Sequence, residues 1–266
     1  MYKEFYGFRE KPFSKTPDPR FLYLSNGHRE ALARLQYVIE ERELALLTGE
    51  IGCGKTTISR ALMDSMGDAY RFCFIVNPRL TAMEFLRVIA GELMVEAPSG
   101  SKDGLLREIT DVLYRFHGEG RCPVIIIDEA QLIPDREVFD EIRLLTNFQM
   151  DDRNLLSVII MGQPELRKIL AGPVYEPLRQ RIAINYHLHP LNMEETQEYV
   201  DFRMEMAGGH AGLFSLDAVQ RIFELSGGVP RMINVIATNA LLEGFGKDAA
   251  MIDASIIDGM ADELVI

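Results

Sequence analysis

Residues 49–56 read GEIGCGKT: three glycines, a lysine and a hydroxyl in the spacing GxxxxGK[ST]. Glycine at 49, 52 and 54 lets the backbone wrap tightly and turn its N–H groups toward phosphate oxygens. From this position Lys55 can reach the β- and γ-phosphates of a nucleoside triphosphate, and the Thr56 hydroxyl can ligate Mg²⁺. Glu50, Ile51, Cys53 and the following Thr57 complete the expected nucleotide-binding stretch. Roughly one random chain of this length in a hundred would carry the pattern by chance, so its surroundings decide. It follows an apolar run, LALL at 44–47, and precedes an amphipathic stretch at 56–66. A helix opening there aims its positive end at the same phosphates. Cys53 reads as a tolerated small residue rather than a nucleophile.

A second pattern is VIIIDEA at 124–130. Four apolar residues deliver two adjacent carboxylates to a strand end, a costly placement without a role. Asp128 can hold Mg²⁺ through its water shell, and Glu129 can polarise an attacking water. Together the two patterns imply binding of ATP and Mg²⁺ and hydrolysis of the nucleotide. An acid directly after the metal-binding Asp, with a further strand signal between the two motifs, points to the additional-strand class of P-loop ATPases.

Positioning these groups needs a sheet. Five short apolar runs stand out, at 44–47, 72–76, 124–127, 155–161 and 184–191. Most are continuous rather than alternating, as strands read when helices cover both faces. Helical spacing fits 29–42, 56–66, 81–95, 103–117 and 137–148. Alternating strands and helices imply a parallel sheet with right-handed crossovers. Beyond Pro190 only helical signals remain, at 193–207, 215–225, 231–245 and 253–264, punctuated by GGHAG, SGGVP and GFGKD. Ser215 and Asp253 are expected N-caps. The expected organisation is an α/β nucleotide-binding body over 1–190 and a small C-terminal helical lid over 191–266.

The 266 residues are 47% hydrophobic and 26% charged, an ordinary globular balance long enough for a sizeable core. With 28 basic and 40 acidic residues the net charge is −12, so DNA binding cannot rest on overall charge, only on a local patch. Cys53, Cys73 and Cys122 are too few and too scattered for a disulfide framework. His117, His187, His189 and His210 show no zinc-ligand spacing with them. No apolar run approaches the ~18 residues of a membrane helix, and the start MYKEFYGFREKPF has no signal-peptide core. The expectation is a cytoplasmic protein.

The chain resembles AAA+ ATPases of the ExeA/GspA type, a family named for an accessory ATPase of type II secretion. The resemblance rests on the ordered series FYGFREKPFSKTPDPRFLYLSNGHREALARL, GEIGCGKTT, IIIDEAQ, MGQPEL, LRQRI and SGGVPRMIN, which spans almost the whole chain. It implies a P-loop AAA+ fold, a five-stranded parallel sheet sandwiched by helices with a helical lid. It also implies roles for further residues. Gln163, where such proteins more often carry Asn, would sense the γ-phosphate. Arg179 or Arg181 would act as the arginine finger on a neighbouring subunit's ATP, since a guanidinium offers several donors and keeps its proton. Arg231 would be the second sensor, contacting phosphate from the lid. Leu22, Tyr23 and His28 would border adenine. A finger in trans implies a homo-oligomer, a ring or filament.

Relatives known from secretion carry a transmembrane helix and a peptidoglycan-binding region that these 266 residues do not show, so the expectation is a cytosolic fragment or a standalone relative. Similar modules, akin to the MuB and TniB proteins, help DNA transposition. Three processes therefore stay open: secretion or envelope assembly, a DNA-binding helper with a basic patch around Arg167, Lys168 and Arg179, and a slow nucleotide-dependent switch that binds a protein partner.

Overall fold

A computed structural model describes residues 2–14, 19–96, 98–150 and 153–261. Residues 15–18 of the opening motif and the end of the expected last helix lie outside the described residues. The chain forms two compact units, one from residues 28–49 and 58–188, the other from 1–27, 50–57 and 189–266.

The first unit is built on a five-stranded sheet of β1 (Leu44–Gly49), β2 (Tyr70–Ile75), β3 (Cys122–Ile127), β4 (Ser157–Gly162) and β5 (Ile182–Leu188). All pairings are parallel and the order is β2-β3-β4-β1-β5. The five-stranded parallel sheet flanked by helices is the one expected from sequence. Every residue of β1, β3 and β4 is buried, as their continuous apolar sequences require. The two edge strands, β2 and β5, are only partly buried. One sheet face supplies Leu44, Leu46, Ile125, Ile127, Val158 and Ile160 to a core completed by helical residues such as Phe85, Ile89, Ile109 and Ile142.

Helix starts follow local chemistry. Thr81 and Glu84 form a reciprocal capping box for Ala82–Glu92, and Ser101 caps Lys102–Gly118 through the Gly104 amide. The expected helix 81–95 ends three residues early because Met94 turns into left-handed backbone, φ 61°. Among the elements not read in the sequence are a two-residue-per-strand hairpin (Gln149–Met150 with Arg153–Asn154), a 3-10 turn (Ala130–Leu132), a short helix (Pro164–Leu170) and the one-turn pieces Tyr2–Phe5, Pro19–Phe21, Pro173–Tyr175 and Glu176–Arg179.

The second unit contains helices Met193–Met206, Leu216–Ser226, Pro230–Gly246 and Ala254–Ala261. Ser215 caps through the Ala218 amide and the Asp253 carboxylate accepts from Ile256 N, so both expected N-caps are present. The helices enclose Val200, Met204, Ile222, Ile233, Ile236, Leu241 and Ile257, and the N-terminal segment inserts Tyr2, Phe8, Phe13 and Phe21 into the same core. Each fully buried aromatic contributes about 1.5–3 kcal/mol, enough to hold so short a segment. Arg203 fastens it: its guanidinium donates to the carbonyls of Pro12 (2.7 Å), Ser14 (3.2 Å) and Phe21 (3.4 Å) and stacks on the Phe21 ring.

Candidate functional site

β1 ends at Gly49 and a helix opens at Lys55, running Lys55–Ser65, so residues 50–54 form the turn between them. Gly49 is the last β1 residue paired to β5, and a Cβ there would lie 2.6 Å from the Leu188 carbonyl oxygen. Its glycine thus answers a close strand approach, whereas Gly52 and Gly54 take φ of 87° and 99°, backbone that side chains resist. The turn closes through Cys53 N donating to Glu50 O at 3.3 Å, and the Lys55 ammonium donates to the same carbonyl at 3.1 Å. Lys55 is buried, while Ile51 stands out from the loop, 56% exposed. Cys53 is buried, and burial pushes its thiol up to about 11 despite the nearby Lys55 charge.

The loop is fastened to helix Pro230–Gly246. The Arg231 amide donates to the Gly52 carbonyl at 3.3 Å. A Cβ on Gly52 would fall 2.7 Å from Arg231 Cβ and 3.1 Å from Val229 Cγ1. The Arg231 side chain is exposed and makes no hydrogen bond among the described residues. Its helix start is set by Gly227 and Gly228, both at positive φ; a Cβ on Gly228 would overlap the Leu191 carbonyl, whose residue pairs with Gly228 through N–H to O at 2.9 Å.

The carboxylates arise on the sheet. β3 delivers Asp128, buried at 2% exposure, whose Oδ1 accepts from Glu129 N at 2.8 Å. Glu129 adopts left-handed backbone, φ 53°, and begins the 3-10 turn. Its Oε2 accepts from two amides, Gln131 Nε2 at 2.5 Å and Gln163 Nε2 at 2.9 Å. Gln163 caps the end of β4, which lies between β1 and β3, so the sheet order itself brings Gln163 beside the acid strand. Sequence reasoning gave Gln163 a role but missed Gln131. Its signal was its place two residues beyond Glu129.

The remaining candidates have partners of their own. Tyr23 donates to Glu198 Oε2 at 2.6 Å, with its ring against Tyr199 and Phe202. Leu22 beside it is half-buried, and His28 is buried near the start of helix Asn26–Glu41. Glu195, in the capping box of helix Met193–Met206, also accepts from Asn26 N at 3.2 Å. Arg179 donates to the carbonyls of Leu170 and Gly172, closing the end of helix Pro164–Leu170. Arg181 is exposed and donates to Asn147 Oδ1.

The donor set suits a phosphate and a hard cation. Glycine-enabled backbone, a buried ammonium and a helix start match a polyphosphate. Among the described residues no three His, Cys, Asp or Glu side chains group to hold a metal unaided. The Thr56 hydroxyl and the Asp128 carboxylate are each of a ligand type that Mg²⁺ accepts, an ion ordinarily shared with phosphate oxygens and water.

The family model described as "AAA domain" matches residues 38–170. General secretion pathway protein A of Aeromonas hydrophila is 39% identical over 273 residues, covering 99% of this chain. This is the ExeA/GspA resemblance expected from the motifs. The chain spans about half the length of that relative, 50%. Among solved structures, Cdc6p from Pyrobaculum aerophilum matches with TM-score 0.73 and 18% identity over 96% of this chain and 71% of that one. The Aeropyrum pernix ORC1 protein, solved in complex with DNA, gives TM-score 0.66 and 20% identity over 96% and 69%. The Thermotoga maritima RuvB Holliday junction branch migration motor gives 0.60 and 17% over 92% and 73%. At these identities the likeness is one of fold. Among the described residues no helix is long and apolar enough to cross a membrane.

Proposed function

The chain belongs to the AAA-domain family of ATPases, and from that premise we propose that it binds Mg-ATP and hydrolyses it with Lys55, Thr56, Asp128 and Glu129. The observation that carries this reading is the Glu129 carboxylate, set by left-handed backbone directly after the buried Asp128 and gripped on one oxygen by two amides. Such a carboxylate is held still with its other oxygen, Oε1, bearing no hydrogen bond among the described residues.

Bound Mg-ATP supplies the γ-phosphoryl group and a cation that spreads its charge. Residues 49–57 hold the phosphates, with Lys55 placing a positive charge among them and Thr56 and Asp128 holding the cation. Glu129 orients the attacking water and takes its proton. Gln163 senses the γ-phosphate, Arg231 reads it from the lid, and Leu22, Tyr23 and His28 border adenine. In this reading residues 1–190 act as the nucleotide-binding body and 191–266 as the lid. One of Arg179 and Arg181 acts in trans within a homo-oligomer, working in the cytoplasm.

The process served is, in our reading, assembly of a secretion or envelope machine, supported by the 39% identity to a general secretion pathway protein. DNA-dependent helper activity is the second reading, prompted by the fold shared with proteins such as ORC1 in complex with DNA. Arg167 and Lys168 are exposed at the end of helix Pro164–Leu170, whereas Arg179 is engaged with main-chain carbonyls, which thins the basic patch that reading needs. A slow switch that binds a protein partner is the third, separated by single-turnover rates.

The test of the hydrolytic reading is Glu129→Gln, which should bind ATP within about threefold of the parent while turnover falls at least a hundredfold. Undiminished turnover would overturn it. ATPase rates with and without duplex DNA at low salt discriminate the second reading: salt-sensitive stimulation supports it, and none rejects it.

A further inference from the structure

We infer that Gln131 is a positioning residue for hydrolysis: its side-chain amide ties the Glu129 carboxylate to the end of β4. This rests on the reading of Glu129 as the base. Gln131 Nε2 donates to Glu129 Oε2 at 2.5 Å, and Gln131 Oε1 accepts from the main-chain N–H of Gln163 at 3.1 Å. The amide's orientation follows from its partners. A main-chain N–H can be met only by the oxygen and a carboxylate only by the NH₂, so a flipped amide would lose both bonds.

Room for this bridge is built into the strand. A Cβ on Gly162, the last residue of β4, would lie 2.8 Å from Gln131 Oε1 and 2.7 Å from Leu166 Cδ2. Glycine at the end of a buried strand is otherwise a poor choice. Here it lets the Gln131 side chain reach past the β4 terminus and fasten to the next residue's amide. The result is a triangle of Glu129, Gln131 and Gln163 in which Gln131 touches both others through different atoms.

The consequence is chemical as well as architectural. A carboxylate on a short side chain has rotational freedom about its last torsion. Two amide donors on Oε2 remove that freedom and commit Oε1 to the water. The Gln163 side chain supplies one donor, but on this reading it also answers to phosphate. Gln131 supplies a donor whose own anchor is main chain, so Glu129 stays aligned when Gln163 turns to the nucleotide. Register between the acid strand and β4 is thereby passed to the base by a single side chain.

A merely structural role, capping the Gln163 amide, makes a different prediction, and three variants of the full chain separate the two. Gln131→Met removes both bonds. Gln131→Glu keeps an acceptor for Gln163 N–H but replaces the donor to Glu129 with a second carboxylate. Glu129→Gln reports on the base itself. With a fluorescent ATP analogue for affinity and steady-state phosphate release for turnover, Gln131→Met should lower kcat at least tenfold with KM and affinity within about threefold. Gln131→Glu should be equally slow at pH 8. Melting temperatures and retained nucleotide affinity exclude misfolding as the cause. Full turnover in Gln131→Met, or full turnover of Gln131→Glu at pH 8, overturns the proposal while leaving an inactive Glu129→Gln to uphold the base. Wild-type turnover in Glu129→Gln would overturn both together.

Discussion

The main-chain amide of Arg231 donates to the carbonyl of Gly52 at 3.3 Å. The start of helix Pro230–Gly246 and the middle of the glycine loop are therefore joined by backbone rather than by the arginine's charge. Substituting the Arg231 side chain beyond its Cβ leaves that bond in place, whereas a Cβ at position 52 would crowd Arg231 Cβ and Val229 Cγ1. The two residues can thus be perturbed separately.

Gly52→Ala adds a Cβ 2.7 Å from Arg231 Cβ at a φ of 87°. Left-handed backbone alone costs about 1–2 kcal/mol, or roughly 2–8 °C in Tm for a chain of this size. Nucleotide affinity is expected to fall at least tenfold. Calorimetric melting and titration with a fluorescent ATP analogue check both effects. Unchanged affinity would separate the loop's shape from its binding.

Arg231→Ala should behave oppositely. The side chain is exposed and without a hydrogen bond among the described residues, so Tm should stay within about 2 °C. Turnover should drop at least tenfold if the guanidinium works on nucleotide. Wild-type ATPase activity in this variant would remove it from the proposed site.

Arg179 and Arg181 are distinguishable by stability. Arg179 serves two carbonyls at a helix end, and charge-assisted bonds of this kind contribute about 1.5–3 kcal/mol. Arg179→Ala should lower the unfolding free energy read from urea titration accordingly, while Arg181→Ala, exposed, should change it by less than about 0.5 kcal/mol. If Arg181 is the finger, mixing Arg181→Ala with Glu129→Gln subunits restores ATPase activity that neither has alone. No restoration at any ratio would argue against Arg181.

The thiols set a pH dependence. Burial raises Cys53 to about 11 and Cys73 to about 12, and it raises Cys122 as well. A folded pKa above the unfolded one near 9 favours the fold below pH 9. That favour is lost as pH climbs through the folded value. Stability should decline between about pH 9 and 12. Iodoacetamide at pH 7.5 should label the native chain slowly and the urea-unfolded chain fast, because the thiolate is the reactive form. Rapid native labelling of Cys53 would contradict its burial in the loop.

Legibility in the sequence tracked how local the cause was. Leu44–Leu47 and Val124–Ile127 announced their strands because a strand covered on both faces must be apolar throughout. The neighbouring Tyr70 and Arg71 extended β2 beyond its apolar run because pairing with Cys122 and Pro123, not hydropathy, sets where an edge strand starts. Conversely, His189 and Pro190 fall outside β5, whose last pairing is Leu188 with Gly49. The turn after β1 and the Asp128–Glu129 pair at the end of β3 could be placed from sequence because their spacing is covalent. Gln131 was not, since its meaning depends on Gln163, brought alongside only by the strand order. Nor was the anchoring of Phe8, Phe13 and Phe21 among the last four helices: those aromatics reach partners about two hundred positions away, and no periodicity records that.

Glu129 holds a backbone shape that glycine or asparagine would adopt at lower cost. Two amide bonds to its carboxylate, from Gln131 and Gln163, offset that cost. Strain and restraint are thus balanced at one residue, and removing either glutamine should show first as faster hydrogen exchange at the turn that follows β3.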